Sequence, residues 1–128
     1  DAMAWVLFAI MYLWQHPHFY SIAWICRSDY AEAKLKMLPV VEPDGNSTIR
    51  QIFWHLLLMI PITFLPFIQG ALGLFYLIGA FMITSAFFVS ALPLARNRSD
   101  KSALLLLKAS VFYLPSLLLI IIIDKGVL

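Results

Sequence analysis

The longest uncharged run in the chain is residues 51–95, QIFWHLLLMIPITFLPFIQGALGLFYLIGAFMITSAFFVSALPLA, which contains no Lys, Arg, Asp or Glu. A helix rises about 1.5 Å per residue and crosses roughly 30 Å of hydrocarbon with about 20 residues. The run is therefore too long for one membrane crossing and has the right length for two. Gly70 and Gly73 mark the turn between them.

The rest of the chain shows the same shortage of charge. Of its 128 residues, 62% are hydrophobic and 12% are charged, whereas a soluble domain has about 45–50% apolar and about 25% charged residues. Further runs extend from Ala2 to Cys26 and from Ser102 to Ile123, and only Lys108 interrupts the second one. We therefore predict an all-α, polytopic transmembrane helix bundle with about four crossings, over residues 2–26, 48–69, 72–94 and 103–123.

The basic residues predict the orientation of the bundle. Those between the first and second crossings, and between the third and fourth, are Arg27, Lys34, Lys36, Arg50, Arg96, Arg98 and Lys101, whereas the opposite side has only Lys125. By the positive-inside rule, loops 27–47 and 95–102 face the cytoplasm or its organellar equivalent. The net charge of +2 and the lack of a basic stripe with interleaved aromatics indicate no nucleic-acid partner.

Polar residues cluster in the middle of the first predicted crossing. Gln15, His16 and His18 surround Pro17, which removes a backbone donor and is expected to bend the helix. Polar groups at membrane depth are costly and tend to mark ligands or pathways. At about 100° per residue, one helix face carries five residues, provided that the helix continues through the proline: Trp14, His18, Ser21, Ile25 and Asp29.

Several short segments between Trp14 and Val41 form a recognisable pattern. They are Trp14-Gln15-His16-Pro17-His18-Phe19, Ile22-Ala23-Trp24, Arg27, Asp29-Tyr30 and Met37-Leu38-Pro39-Val40-Val41. The pattern resembles that of the haem O synthases, the protohaem farnesyltransferases of the UbiA-type intramembrane prenyltransferase superfamily. Their motif is a Trp, two variable positions, Pro-His-Phe, a helix with Ala-Trp, Arg-x-Asp-Tyr and Met-Leu-Pro-Val-Val. The likeness continues to Ser110 and Tyr113-Leu114 and covers essentially the whole chain.

The resemblance implies an architecture and a reaction. Such enzymes have about nine transmembrane helices, so this chain is expected to correspond to the last four, the C-terminal half, and to be inactive alone. The full-length protein is expected to transfer a farnesyl group from farnesyl diphosphate to a vinyl group of haem b, giving haem O for terminal oxidases. The surroundings implied are membrane lipid of a bacterial inner (plasma) membrane, or the mitochondrial inner membrane. Haem A synthase or terminal oxidase assembly factors are the implied protein partners.

The resemblance also assigns roles in the charged loop. Asp29 is expected to hold Mg²⁺ on the diphosphate and Arg27 to neutralise the leaving group, with Lys34 and Lys36 as steering charge. The Mg²⁺ site is expected to be shared with the Asn/Asp-rich motif of the other half. Two positions depart from the family pattern, which commonly has an acidic residue at Ser28 and a Gly at Lys34.

Aromatic side chains and one histidine complete the expected site. Tyr30, Phe19 and Trp24 offer ring faces to the allylic cation, and His18 contacts the haem iron or its propionates. The expected catalytic residues are thus Asp29, Arg27 and Tyr30, and the expected substrate-binding residues are His18, Trp14, Phe19, Trp24, Lys34 and Lys36.

Two other interpretations remain open. One is a UbiA-type prenyltransferase that acts on a different aromatic acceptor, such as a quinone precursor. The other is a non-catalytic haem-binding or structural four-helix membrane subunit, in which Pro17, His18 and Asp29 only contribute to packing.

Overall fold

The computed structural model describes residues 2–126, and these residues form helices and connecting turns without a strand. The helices are α1 (Ala2–Ile25), α2 (Arg27–Glu32), α3 (Leu38–Val41), α4 (Asn46–Ile68), α5 (Leu74–Ser90), α6 (Leu92–Arg96) and α7 (Asp100–Gly126). Helices α1 and α5 each pack against both α4 and α7. The four long helices therefore form a bundle, and the predicted all-α class is confirmed.

Three stretches of helix are long and apolar enough to cross a membrane. They are Asn46–Ile68, Leu74–Arg96, which includes α5 and α6, and Asp100–Gly126, and they coincide with the second, third and fourth predicted crossings. Helix α1 has 24 residues and continues through Pro17, but it carries Gln15, His16 and His18 near its middle and is not among these three stretches. Its crossing of the membrane remains a prediction.

Much of the outer surface of the bundle is apolar, like its interior. On α4, Ile52, Leu56 and Met59 are fully buried, whereas Trp54 and Leu57 are about half exposed. The buried positions recur every three or four residues, as one face of a helix requires. Because the remaining faces are apolar too, hydrocarbon rather than water is the medium that suits this surface.

A buried carboxylate joins two helices at the end of the bundle opposite the charged loops. The two carboxylate oxygens of Asp124 on α7 accept the backbone N–H groups of Gly73 and Tyr76, each at 2.9 Å. These N–H groups belong to the first turn of α5, where a negative charge also favours the helix dipole. Asp124 thus caps α5 from another helix and fixes the ends of α5 and α7 together.

The C-terminal end of α1 lies next to its predicted boundary at Cys26. The helix passes Pro17 without interruption but ends at Ile25, and a turn at Cys26 separates it from α2. The Arg27 side chain donates to the carbonyl oxygen of Trp24 at 2.6 Å and so satisfies one of the last carbonyls of α1. Asp29 therefore lies on α2, beyond the turn that ends the helix of Trp14 and His18, and the prediction that it shares their face stays a prediction.

Candidate functional site

Helices α1 and α7 meet through two aromatic side chains and one serine. The rings of Trp14 and His18 are stacked, with centroids 4.7 Å apart and an interplanar angle of 17°. The indole N–H of Trp14 donates to the carbonyl oxygen of Ser110 at 2.8 Å, and Nδ1 of His18 lies 2.8 Å from Oγ of the same serine. Two expected substrate-binding residues are thus held by Ser110, which is not among the residues expected in the site.

The hydroxyl of Ser110 determines which nitrogen of His18 carries the proton. Ser110 donates its single hydroxyl hydrogen to the carbonyl oxygen of Leu107 at 2.6 Å. Its Oγ must therefore accept from His18, so that Nδ1 carries the hydrogen and Nε2 keeps its lone pair. An imidazole oriented through Nδ1–H, with Nε2 available, is the usual arrangement of a metal-ligating histidine.

The other two histidines join α1 to α4. The rings of His16 and His55 are stacked with centroids 3.8 Å apart. Each Nδ1 donates to a carbonyl oxygen of the preceding turn, that of Tyr12 at 2.8 Å and that of Gln51 at 2.6 Å. These contacts join α1 to α4 within the bundle.

A groove beside α1 brings two segments of the motif together. It has a volume of about 370 Å³. Its walls are formed by Gln15, His16, Phe19, Tyr20 and Ala23 on α1 and by Met37, Leu38 and Pro39 at the start of α3. The His-Pro-His-Phe and Met-Leu-Pro segments, separate in the sequence, therefore form one surface. Of the expected substrate-binding residues, Phe19 lies in this groove.

The charged loop follows directly from α1 and leads into the groove through Met37. Asp29 is exposed, and its carboxylate makes no hydrogen bond or ion pair with any residue in the range 2–126. Lys34 and Lys36 are also exposed, and Tyr30 is partly buried. The two lysines are accessible to an anionic ligand, and the carboxylate of Asp29 is accessible to a cation.

Metal-binding capacity in this part of the chain is limited. Within residues 2–126, no three His, Cys, Asp or Glu side chains come close enough to hold a metal ion together. Mg²⁺ in phosphate-binding sites commonly takes one or two carboxylates, with the remaining positions filled by substrate phosphates and water. The free carboxylate of Asp29 has the chemistry of one such carboxylate ligand.

Lys34 occupies a backbone conformation that favours glycine. Its φ is 60°, in the left-handed region. The N–H of Lys34 donates to the carbonyl of Ala31 at 3.0 Å, and the N–H of Leu35 donates to that of Tyr30 at 2.8 Å. These two bonds form a Schellman motif at the end of α2. The departure from the family glycine therefore falls where a lysine costs backbone strain.

Arg27 and Trp24 do not line the groove and instead contact each other and neighbouring loop residues. A single nitrogen of Arg27, Nη1, lies 2.6 Å from Oδ1 of Asp100 and 2.6 Å from the Trp24 carbonyl oxygen. The guanidinium carbon is 4.3 Å from the centre of the Trp24 ring. Trp24 is only 4% exposed, and it packs so closely on Gly45 that a Cβ there would lie 2.8 Å from the ring. The role expected for Arg27 in catalysis and the role expected for Trp24 in substrate binding remain predictions.

Two further contacts fix the loops at this end of the bundle. Arg98 donates to the carbonyl oxygen of Asp44 at 2.8 Å, so the loop before α7 contacts the loop before α4. The carboxylate of Glu42 accepts the hydroxyl of Ser47 at 2.6 Å and also its backbone N–H, in the first turn of α4. These hydrogen bonds from Ser47 hold the pKa of Glu42 below its ordinary value.

The sequence of the chain matches a known family over most of its length. Residues 1–117 match the UbiA prenyltransferase family. The chain belongs to this family. Its three long apolar helices and the helical intramembrane fold of UbiA proteins identify a multi-pass membrane protein.

Three similar curated proteins are all named protoheme IX farnesyltransferase. The chain is 44% identical over 122 residues to the protoheme IX farnesyltransferase of Solibacter usitatus, with 95% of this chain and 42% of that protein aligned. The corresponding protein of Koribacter versatilis is 44% identical over 128 residues, covering 94% of this chain and 41% of that protein. That of Salinibacter ruber is 40% identical over 123 residues, covering 96% and 44%. The chain thus spans about two fifths of the length of these relatives. No solved structure gives a significant match to it.

Proposed function

We propose that the protein carrying this chain transfers a farnesyl group from farnesyl diphosphate to a vinyl group of haem b, giving haem O. The observation that carries the proposal is the groove beside α1, whose walls are the two motif segments around Phe19 and Leu38. Family membership and relatives named protoheme IX farnesyltransferase support the same reaction.

The chemistry divides into loss of an anion and capture of a cation. The C1–O bond of farnesyl diphosphate breaks, and the diphosphate leaves with the electron pair. The π electrons of the haem vinyl group then form the new bond to C1, and a water molecule adds to the resulting cation and loses a proton. The protein must therefore stabilise a leaving anion and shield an allylic cation from bulk water.

The free carboxylate of Asp29 is proposed to bind the diphosphate through Mg²⁺, together with groups from the helices outside this chain. The ion would supply Lewis acidity to the leaving oxygen. Exposed Lys34 and Lys36 would attract the diphosphate to the loop. The ring faces of Phe19 and Tyr30 would stabilise the cation, each by about 0.5–2 kcal/mol.

The available Nε2 of His18 is proposed to bind the haem iron, because a nitrogen that keeps its lone pair has no hydrogen to donate to a propionate. Ser110 fixes the tautomer and the stacked ring of Trp14 fixes the plane of the imidazole, so the lone pair keeps one direction. This proposal treats haem b as a substrate that is held while its vinyl group reacts.

The proposed location is the inner membrane of a bacterium, with both charged loops on the cytoplasmic side. The product is a membrane-embedded haem, so an enzyme that consumes it, such as haem A synthase, is the partner expected to act next.

Expression of the full-length protein in cells that lack haem O synthase tests the proposal, with the extracted haems analysed by mass spectrometry. We expect farnesylated haem in cells that express the wild-type protein and none in cells with the empty vector. An intact, membrane-inserted protein that yields no farnesylated haem contradicts the proposal. Prenylation of a quinone precursor in its place supports the alternative acceptor.

A further inference from the structure

The only charged residue of α7 between Ser102 and Ile123 is Lys108. A charge at membrane depth is costly unless it reaches the interface or finds a partner. Long side chains on a helix point back toward its N-terminus, which for Lys108 is the end that carries Lys101. Both lysines are exposed.

Lys101 and Lys108 line the same groove. The groove has a volume of about 390 Å³ and lies between α6 and α7, with Pro93 on one side and Ser102, Leu104 and Leu105 along α7. Residues seven apart on a helix lie on nearly the same face, about 10 Å apart along the axis. The groove therefore combines two cations with an apolar wall.

The positive charge of this groove is not compensated by the part of the chain that the structure describes. Asp100, the neighbouring acid, already pairs with Arg27 at 2.6 Å. Neither lysine forms an ion pair with another residue between positions 2 and 126. We therefore expect an anion from outside these helices to bind the two lysines.

We propose that this groove binds an anionic phospholipid, with its phosphate between Lys101 and Lys108 and an acyl chain along Leu104 and Leu105. Charge complementarity selects the head group, and the apolar wall below it selects a lipid over a free anion. The groove lies on the side that the positive-inside rule assigns to the cytoplasm. Anionic lipids are enriched in that leaflet, and basic pockets between helices bind their head groups.

Native mass spectrometry of the full-length protein in detergent tests this site, with phosphatidylglycerol as the titrated lipid and phosphatidylcholine as the neutral lipid. Each lysine near anionic lipid contributes about 1 kcal/mol, so Lys108→Gln should weaken the first phosphatidylglycerol-binding step on the order of fivefold. Lys101→Gln combined with Lys108→Gln should weaken it further. Binding of phosphatidylcholine should be the same in all variants.

Lys125→Gln is the matched control, because it removes one exposed lysine from the opposite end of the same helix. It should bind phosphatidylglycerol as the wild type does. Lys108→Arg keeps the charge and should also bind normally, which separates loss of charge from misfolding. Equal weakening in Lys108→Gln and Lys125→Gln, or no weakening in either, would overturn the proposal. Displacement of the lipid by inorganic phosphate at matched concentration would overturn it too, since it would identify a simple phosphate site.

Discussion

His18 on α1 and Ser110 on α7 are 92 residues apart in sequence and are joined by a 2.8 Å hydrogen bond from Nδ1 to Oγ. Because the serine hydroxyl is already committed to the Leu107 carbonyl, the bond has one direction and leaves Nε2 of His18 as the available nitrogen. The contact between two helices thereby sets the protonation state of the histidine proposed to hold haem.

Ser110→Ala should weaken haem binding to the full-length protein. The substitution leaves the partly buried Nδ1–H of His18 without its acceptor, a loss worth about 1–3 kcal/mol, and it frees the ring to adopt the other tautomer. An absorbance titration with haem b is expected to show a dissociation constant on the order of tenfold higher. Ser116→Ala on the same helix should bind haem normally, and an equal affinity in both variants would contradict the role given to Ser110.

Lys34→Gly should make the protein more stable than Lys34→Ala by about 1 kcal/mol. Both variants lose the lysine charge, but only glycine takes a φ of 60° without strain. The comparison therefore isolates the backbone conformation from any effect of charge on diphosphate binding. Thermal unfolding of the full-length protein in detergent measures the difference. Midpoints that coincide would mean that the end of α2 is not left-handed at this residue.

Gly45→Ala should destabilise the protein by roughly 1–3 kcal/mol more than Gly70→Ala. The two glycines have nearly the same positive φ, 81° and 78°, so both variants have the same backbone penalty. A Cβ at position 45 would lie 2.8 Å from the Trp24 ring, whereas one at position 70 would have nothing within 4 Å. The same unfolding measurement compares them, and a Gly70→Ala variant as unstable as Gly45→Ala would contradict the packing of Trp24 on the loop.

Asp100→Asn should lower the KM for farnesyl diphosphate. The ion pair with Arg27 is partly solvated, with side chains 36% and 60% exposed, so its loss should cost less than about 1 kcal/mol of stability. The guanidinium that it releases is then available to the diphosphate. Initial rates of the full-length protein against farnesyl diphosphate concentration test this, with Asp100→Glu as the control that keeps the pair. A KM that is unchanged or raised in Asp100→Asn would mean that Arg27 acts only in holding the loops together.

The helices could be predicted from sequence because their lengths follow from the runs without charge. The bundle interior contains apolar residues at helical spacing, and the turns contain glycines and charges, so local composition was sufficient. The end of the first helix could be predicted in the same way, since α1 ends at Ile25, next to the predicted boundary at Cys26, where the charged residues begin.

The site was less predictable than the fold, because its partners come from distant parts of the chain. Ser110 lies 96 residues from Trp14, which it contacts. Asp100 lies 73 residues from Arg27, with which it pairs. Such pairs depend on how α1 packs against α7 and on the turn before α7, which periodicity does not reveal. The left-handed conformation at Lys34 had a local signal, since the family pattern has glycine there.

The free carboxylate of Asp29 is the group on which the proposed reaction most directly depends. Asp29→Asn in the full-length protein should lower the turnover of farnesyl diphosphate and haem b to haem O by about 100-fold, equivalent to about 2.7 kcal/mol in the barrier. Glu32→Gln changes another exposed acid of α2 and should leave turnover at the wild-type rate. Turnover of Asp29→Asn equal to that of Glu32→Gln, with both proteins inserted in the membrane, would contradict the account.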